Sequence, residues 1–442
     1  MNYDNHHKPE IIIAGAGWSG LAAAVQLTAQ GFPVKLLEAA SEAGGRARNI
    51  TISNQSLDNG QHILLGAYNN VLTLLQLLDI HESDVLLRQP LLLNVHSPTD
   101  TGIQIRAAKL FSPFHILSGI MMASGFSVRE KIKLMRGMLA FRLQKFTVNP
   151  DISVKQLLLN NKQTPRIIKL FWEPICVAAL NTQIEKASAN VLLQVLKKSF
   201  TRSRTNSDML LPRVGLGQLI PSTALNYLTQ HGSEIHFRER ATKLIIDEHG
   251  IQSIQTRQGA HPCQYLVLAL PFKQSLRLIN EHSTIKSQLS HCKFEYEPVT
   301  TLYLQYPEHI RLENHIAGTA DSTAQWLIDR RTCNQPGLIA AVISASGSHQ
   351  QLDKQLLTNK VIAEISLLYP DWPAPLSTWL TREKQATFSC DYKTNHLRPH
   401  KHALGQNIWL AGDYIDPNLP ATLEAAVQAG LQCANQIINQ FK

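Results

Sequence analysis

The sequence predicts an α/β chain in which a Rossmann-like dinucleotide-binding domain is interrupted by an inserted, mixed α+β domain. Three observations lead to this fold. A strand–glycine turn–helix–strand unit begins at Ile11, a buried strand ending at Gly412-Asp413 is followed by a helix near the other end, and 442 residues are too many for one small core.

The opening unit reads Ile11-Ile-Ile-Ala-Gly-Ala-Gly-Trp-Ser-Gly20, a short buried strand running into an alanine-rich helix. In such a turn Gly15 permits the tight bend and Gly17 lets backbone N–H groups approach a diphosphate. Gly20 lets the helix pack closely on the strand, with Trp18 and Ser19 beside it at the helix start. A second strand, Pro33-Val-Lys-Leu-Leu-Glu38, ends in a carboxylate twenty-three positions beyond Gly15. An acid there accepts hydrogen bonds from ribose hydroxyls and disfavours the 2′-phosphate of NADP.

The next run, Glu38-Ala-Ala-Ser-Glu-Ala-Gly-Gly-Arg46, resembles the second signature of the FAD-dependent amine oxidases and phytoene-type carotenoid desaturases. The resemblance implies FAD as the cofactor, with Gly44 and Gly45 passing close to its diphosphate and Arg46 supplying charge against it. At the other end, Asn407-Ile-Trp-Leu-Ala-Gly-Asp413 reads as a buried strand, and a helix is expected to start near Pro420. In the resembled family the pair matching Gly412 and Asp413 meets the ribityl and diphosphate. The following helix, with Leu423 in its first turn, aims its N-terminus at the flavin, where N–H groups and dipole stabilise negative charge.

Between these ends, a helix running to about Gln230 precedes alternating strands at 235–238, 241–247 and 251–256 and a fully buried strand at 265–271. In the resembled family this block supplies an adenine-side contact near the residue matching Leu244. The expected organisation is therefore a discontinuous FAD-binding domain of the amine-oxidase type, at 1–100, 205–290 and 395–442. The substrate domain takes 101–204, read as several helices, and 291–394, read as strands at 299–304 and 337–343 with a helix near 351–368.

Two longer runs, Leu57-Asp-Asn-Gly-Gln-His-Ile-Leu-Leu-Gly-Ala-Tyr68 and Phe171-Trp-Glu-Pro-Ile-Cys-Val-Ala-Ala-Leu-Asn-Thr182, resemble the hydroxysqualene dehydroxylases within that superfamily. So does Leu419-Pro-Ala-Thr-Leu-Glu-Ala, and the resemblance spans essentially the whole chain. It implies reductive loss of the allylic hydroxyl of hydroxysqualene, a thirty-carbon isoprenoid, to give squalene for squalene and hopanoid biosynthesis. Such a reaction needs hydride from a reduced flavin, a proton for the departing hydroxyl, and an apolar tunnel that excludes water. His62 is the candidate proton donor and Gln61 its hydrogen-bonding neighbour, since both follow Gly60, where the family's chain runs beside the isoalloxazine. Tyr68, Asn181 and Thr182 are further polar candidates. Only one dinucleotide motif is apparent, so the electron donor is an unidentified transient partner.

The same fold also suits a carotenoid desaturase or an amine oxidase. An amine oxidase asks for an aromatic cage, and near the C-terminal motif the sequence offers only Trp409 and Tyr414. A non-catalytic prenyl-lipid escort protein is a reading of another class, opposed by the intact Gly44-Gly45-Arg46 and Gly412-Asp413.

A net charge of +9 and a pI near 9.2 suit an anionic membrane surface or nucleic acid. No aromatic–basic RNA motif or helix-turn-helix pattern is visible, so nucleic acid is not an expected partner. Cys176, Cys263, Cys292, Cys333, Cys390 and Cys433 form no C-x-x-C pair, which suggests buried thiols in a reducing compartment and no metal site. Residues 1–10 are polar, giving no expectation of a signal peptide or anchor. The weakly charged stretch at 107–126 is broken by Pro113 and is not expected to span a bilayer.

The following stretch, 127–146, sets Arg129, Lys131, Lys133, Arg136, Arg142 and Lys145 against a single acid, Glu130, with apolar residues between them. An amphipathic helix of this kind lies in a membrane interface. The expectation is a cytoplasmic protein held peripherally on the inner face of a bacterial-type membrane, with the tunnel mouth near 107–146.

Overall fold

The computed structural model describes residues 8–442, so most of the polar N-terminal segment lies outside the described residues. Ile11, Ile12 and Ile13 are fully buried in a central strand of a six-stranded sheet. Its order is Glu234–His236, Val34–Leu37, Ile11–Ala14, Tyr265–Leu268, Ile408–Leu410 and Ala403–Gly405. The first five strands run parallel and the last antiparallel. Strands covered on both faces read as unbroken apolar runs, which is why 11–14, 265–268 and 408–410 are legible as buried strands.

The chain ends meet behind this sheet. Helix Trp18–Ala29 is buried over most of its circumference because helix Leu423–Ile438 packs against it. A Cβ at Gly430 would fall 2.1 Å from the Ser19 carbonyl oxygen, so only glycine allows the two backbones to approach this closely.

The second large sheet has seven strands, in the order Ser377–Phe388, Tyr296–Gln305, Leu338–Ser344, Trp326–Asp329, Ile316–Thr319, Leu92–His96 and Ile103–Arg106. Helix Lys354–Leu368, N-capped by Asp353, covers one face. The expected boundary at residue 100 falls inside the hairpin formed by the last two strands, and both belong to this sheet. The reason is that Leu92–His96 pairs with Ile316–Thr319, a partner more than two hundred residues away that no local pattern reveals.

Residues 107–200 form helices joined by loops. Ser127, Ser153 and Ser188 cap helices Val128–Leu143, Val154–Asn160 and Ala189–Phe200, and Ser127 forms a reciprocal capping box with Glu130. Among the described residues no helix is long and apolar enough to cross a membrane. The cysteines are free, five of them buried.

Candidate active site

The end expected to take the diphosphate is built from backbone. Gly15 has φ +107°, and a Cβ there would lie 2.4 Å from the Ala269 carbonyl oxygen. At Gly20 a Cβ would lie 1.9 Å from Gly15 O, so this glycine lets the helix sit on the strand, as its spacing predicts. Gly17 is different. Its conformation suits any residue, and a Cβ would meet nothing nearer than Gly45 Cα at 4.0 Å. Gly17 and Gly44 form a β-bridge, and a Cβ on Gly45 would come 3.2 Å from Gly17 Cα. The two glycine loops therefore face each other across a slot that side chains would fill. The first N–H groups of helix Trp18–Ala29 have no intrahelical acceptor, so they are available to an anion at this slot. These features fit the diphosphate of FAD.

Trp18 and Ser19 contribute backbone only. The Trp18 indole N–H donates to Ala47 O at 3.0 Å within the core, and the Ser19 hydroxyl donates to Ala411 O at 3.1 Å. Both side chains are turned inward because the helix is covered on nearly all sides.

At the end expected to take the ribose, the Glu38 carboxylate accepts from the N–H of Ala16 at 2.7 Å and of Ala40 at 2.8 Å. Each oxygen keeps a further lone pair for a hydroxyl. Glu38→Ala is expected to weaken FAD retention and to cost about 1–3 kcal/mol in stability by orphaning the Ala16 N–H. Flavin absorbance per chain and thermal unfolding would check the two effects separately. Leu244 is the residue expected on the adenine side. It is fully buried, and its carbonyl accepts from His282 Nε2 at 3.2 Å.

At the other end of the slot, Arg46 reaches Asp413. Arg46 Nη2 donates to Asp413 Oδ2 at 2.8 Å and Nη1 to Ala386 O at 2.7 Å, so two residues from opposite chain ends meet here. Gly412 has a packing reason to be glycine, since a Cβ would lie 2.4 Å from the Tyr414 ring. The following helix starts at Leu423 and not at Pro420, with Thr422 as N-cap accepting from Ala425 N. Leu423 buries its side chain in the core and offers only its N–H. Glu424, one residue on, accepts from the N–H groups of Asn70 and Val71, capping helix Asn69–Leu77.

Gly60, Gln61 and His62 follow strand Gln55–Asp58. Burial pushes the His62 imidazolium below its ordinary range, with Arg46 adding to the depression while Asp58 and the Gly60 backbone oppose it. Its Nδ1 is buried without a partner. That nitrogen is therefore free to bond a group brought to the site.

Gln61 does not partner His62. Its Oε1 accepts from Arg330 Nη1 at 3.0 Å and its Nε2 donates to Tyr303 OH at 2.7 Å. Arg330 Nη1 also lies 2.6 Å from Asp58 Oδ2 in a buried ion pair, and Tyr303 OH donates to Asp58 O at 2.7 Å. Because guanidinium only donates, the amide orientation of Gln61 is fixed. This network comes from three distant segments, and nothing in the local sequence marks Tyr303 or Arg330.

Asn181 and Thr182 are structural. Asn181 adopts φ 47° at the end of helix Glu173–Leu180, donates to Thr387 Oγ1 at 2.9 Å and accepts from Ala345 N at 2.6 Å. Thr182 is fully buried and accepts from Cys390 N at 3.0 Å. Tyr68 is half-buried, and burial, with the charge of Glu424 adding to it, pushes the phenol up. The aromatic surroundings also differ from expectation. Trp409 stacks on Tyr265 away from the site, whereas Phe272 and Phe294, from other segments, pack on Tyr414 with centroids 5.3 and 6.3 Å away. The scarcity of aromatics near Gly412 in sequence therefore carries no weight against an amine oxidase.

The family model for flavin containing amine oxidoreductases matches residues 18–438. A hydroxysqualene dehydroxylase from Zymomonas mobilis is 25% identical over 440 residues, spanning 96% of this chain and 97% of its own. One from Rhodopseudomonas palustris is 23% identical over 442 residues, with 96% and 97% covered. Among solved structures, cyclohexylamine oxidase from Brevibacterium oxydans superposes with a TM-score of 0.72 at 15% identity, covering 98% of this chain and 99% of its own. The glycine slot, the Arg46–Asp413 junction and these likenesses agree: this chain is an FAD-dependent oxidoreductase and belongs to the flavin containing amine oxidoreductase family.

Proposed function

We propose that the protein reductively removes the allylic hydroxyl of hydroxysqualene, yielding squalene and water. Its end-to-end similarity to hydroxysqualene dehydroxylases carries this reading. Bound FAD supplies the hydride-transfer chemistry. Glu38 and the glycine slot hold its nucleotide half. Gly412, Asp413 and the N-terminus at Leu423 serve its ribityl and flavin half. His62 donates the proton to the departing hydroxyl. Gln61, pinned by Arg330 and Tyr303, fixes the loop that presents it. Ile63, which packs against two apolar clusters, and Trp326, which packs against three, suit an isoprenoid wall next to His62. Anaerobic incubation of photoreduced holoenzyme with hydroxysqualene, beside incubation of oxidised holoenzyme with phytoene or an amine, tests the reading. Squalene formation from the first is expected; turnover of phytoene or the amine alone would replace it.

A substrate so insoluble is collected from a bilayer, and the surface at 107–146 supports that route. Of the fourteen large hydrophobic side chains exposed among the described residues, nine lie between Leu110 and Leu143. Phe111 is 72% exposed, Met122 83% and Leu143 74%, far more than a helix face covering a core requires. Helix Val128–Leu143 buries only Leu134, Gly137 and Phe141 and exposes Arg129, Lys133, Arg136 and Arg142 beside its apolar residues. Lys131 has another task, donating to Met121 O at 3.0 Å. Replacing Arg129, Lys133 and Arg136 with Gln is expected to weaken binding to anionic liposomes by about 3 kcal/mol at low salt, roughly two orders of magnitude. Flotation with normal FAD content would check this. Equal binding by the triple variant removes the basic segment as the docking surface.

A further inference from the structure

Arg398 is fully buried, and no carboxylate among the described residues forms an ion pair with it. Its guanidinium lies over the Phe388 ring at 4.0 Å, donates from Nη1 to Leu419 O at 2.9 Å and from Nη2 to Asp416 O, and leaves Nε without a partner. The nearby acids make their hydrogen bonds to other groups. Asp413 accepts from Arg46, and the Asp416 carboxylate accepts from Asn418 N–H and Gln428 Nε2. Burial pulls the guanidinium below its ordinary pKa, opposed by the neighbouring Cys390, Asp413 and Asp416. Arginine nonetheless stays protonated in proteins. A buried cation without a direct ion pair is costly.

Its position gives that cost a use. The carbonyls it grips belong to the loop that joins Asp413 to the helix beginning at Leu423, the two elements that serve the flavin half of the cofactor. Asn395, three residues earlier, holds the same loop by donating from Nδ2 to Pro417 O at 2.7 Å. Segment 395–398 therefore clamps three carbonyls of this loop, but only Arg398 brings charge. Asn395 performs the neutral part of the same task, which separates loop order from electrostatics.

We infer that Arg398 is a positioning residue whose positive charge, held without a direct ion pair beneath the loop from Asp413 to Leu423, biases the bound flavin toward its reduced, more negative state. The inference rests on FAD binding and is independent of which substrate is reduced.

The test is the midpoint potential of the holoenzyme in Arg398→Gln, Arg398→Lys and Asn395→Ala, with FAD content and far-UV circular dichroism recorded for each. Arg398→Gln is expected to lower the ratio of reduced to oxidised flavin at fixed potential about tenfold, equivalent to about 30 mV for a two-electron couple. Arg398→Lys is expected to recover most of that shift, and Asn395→Ala to leave the potential unchanged. An unchanged potential in Arg398→Gln would overturn the inference, as would an equal shift in Asn395→Ala or in Arg398→Lys. If Arg398→Gln does not retain FAD, retention by Arg398→Lys supports the charge. Loss from both variants assigns Arg398 to folding alone and overturns the proposal.

Discussion

Gly17→Val is expected to yield a folded chain that holds essentially no FAD. The two halves of that expectation have separate causes. Gly17 has φ −72° and ψ 175°, an extended conformation that valine adopts readily, so the backbone is not strained. The new Cβ has no neighbour nearer than Gly45 Cα at 4.0 Å, so the branched methyls enter the slot between the two glycine loops and occupy the space where the diphosphate approaches the helix N-terminus. Gly20→Ala provides the contrast, because its Cβ would collide with Gly15 O at 1.9 Å and damage the fold itself. Far-UV circular dichroism and flavin absorbance per chain distinguish the outcomes. Full FAD occupancy in Gly17→Val would overturn the assignment of the nucleotide site.

His62→Ala is expected to slow dehydroxylation by about 10²–10⁴-fold with normal FAD content, the usual contribution of a positioned general acid. The structure adds a pH signature. Burial holds the imidazolium below the ordinary value of about 6.5, so His62 is protonated only toward acid pH. Activity that needs the protonated ring is therefore greatest at low pH and falls as pH rises through the lowered pKa. Single-turnover rates across pH 5–8 should show this fall in the wild type and lose it in His62→Ala. The charged groups bearing on the ring are Asp58, which favours protonation, and Arg46, which opposes it. Unchanged rate and profile would reduce His62 to a structural residue.

The sequence by itself determined the nucleotide half of the protein. Strand, glycine turn, helix, second strand and Glu38 are neighbours along the chain, and Gly20, whose Cβ would meet Gly15 O, answers a local steric demand that spacing displays. The parallel strands at 11–14, 265–268 and 408–410 were equally readable, because strands buried on both faces must be apolar throughout. Side-chain direction was not readable. Trp18, Ser19 and Leu423 sit within the right motifs, yet packing of helices Trp18–Ala29 and Leu423–Ile438 turns their side chains into the core. Only the tertiary structure decided the other half of the site. Gln61 takes its orientation from Arg330, 269 positions away, and Asp58 is met by Tyr303, 245 positions away. Such contacts arise where the seven-stranded sheet packs on the Asn49–Asp58 hairpin, and neither periodicity nor motif spacing encodes which side chains face each other across that junction. The same reason hid Arg398, whose local sequence shows an ordinary basic residue before a proline and whose burial exists only because Phe388 and the loop before Leu423 close around it.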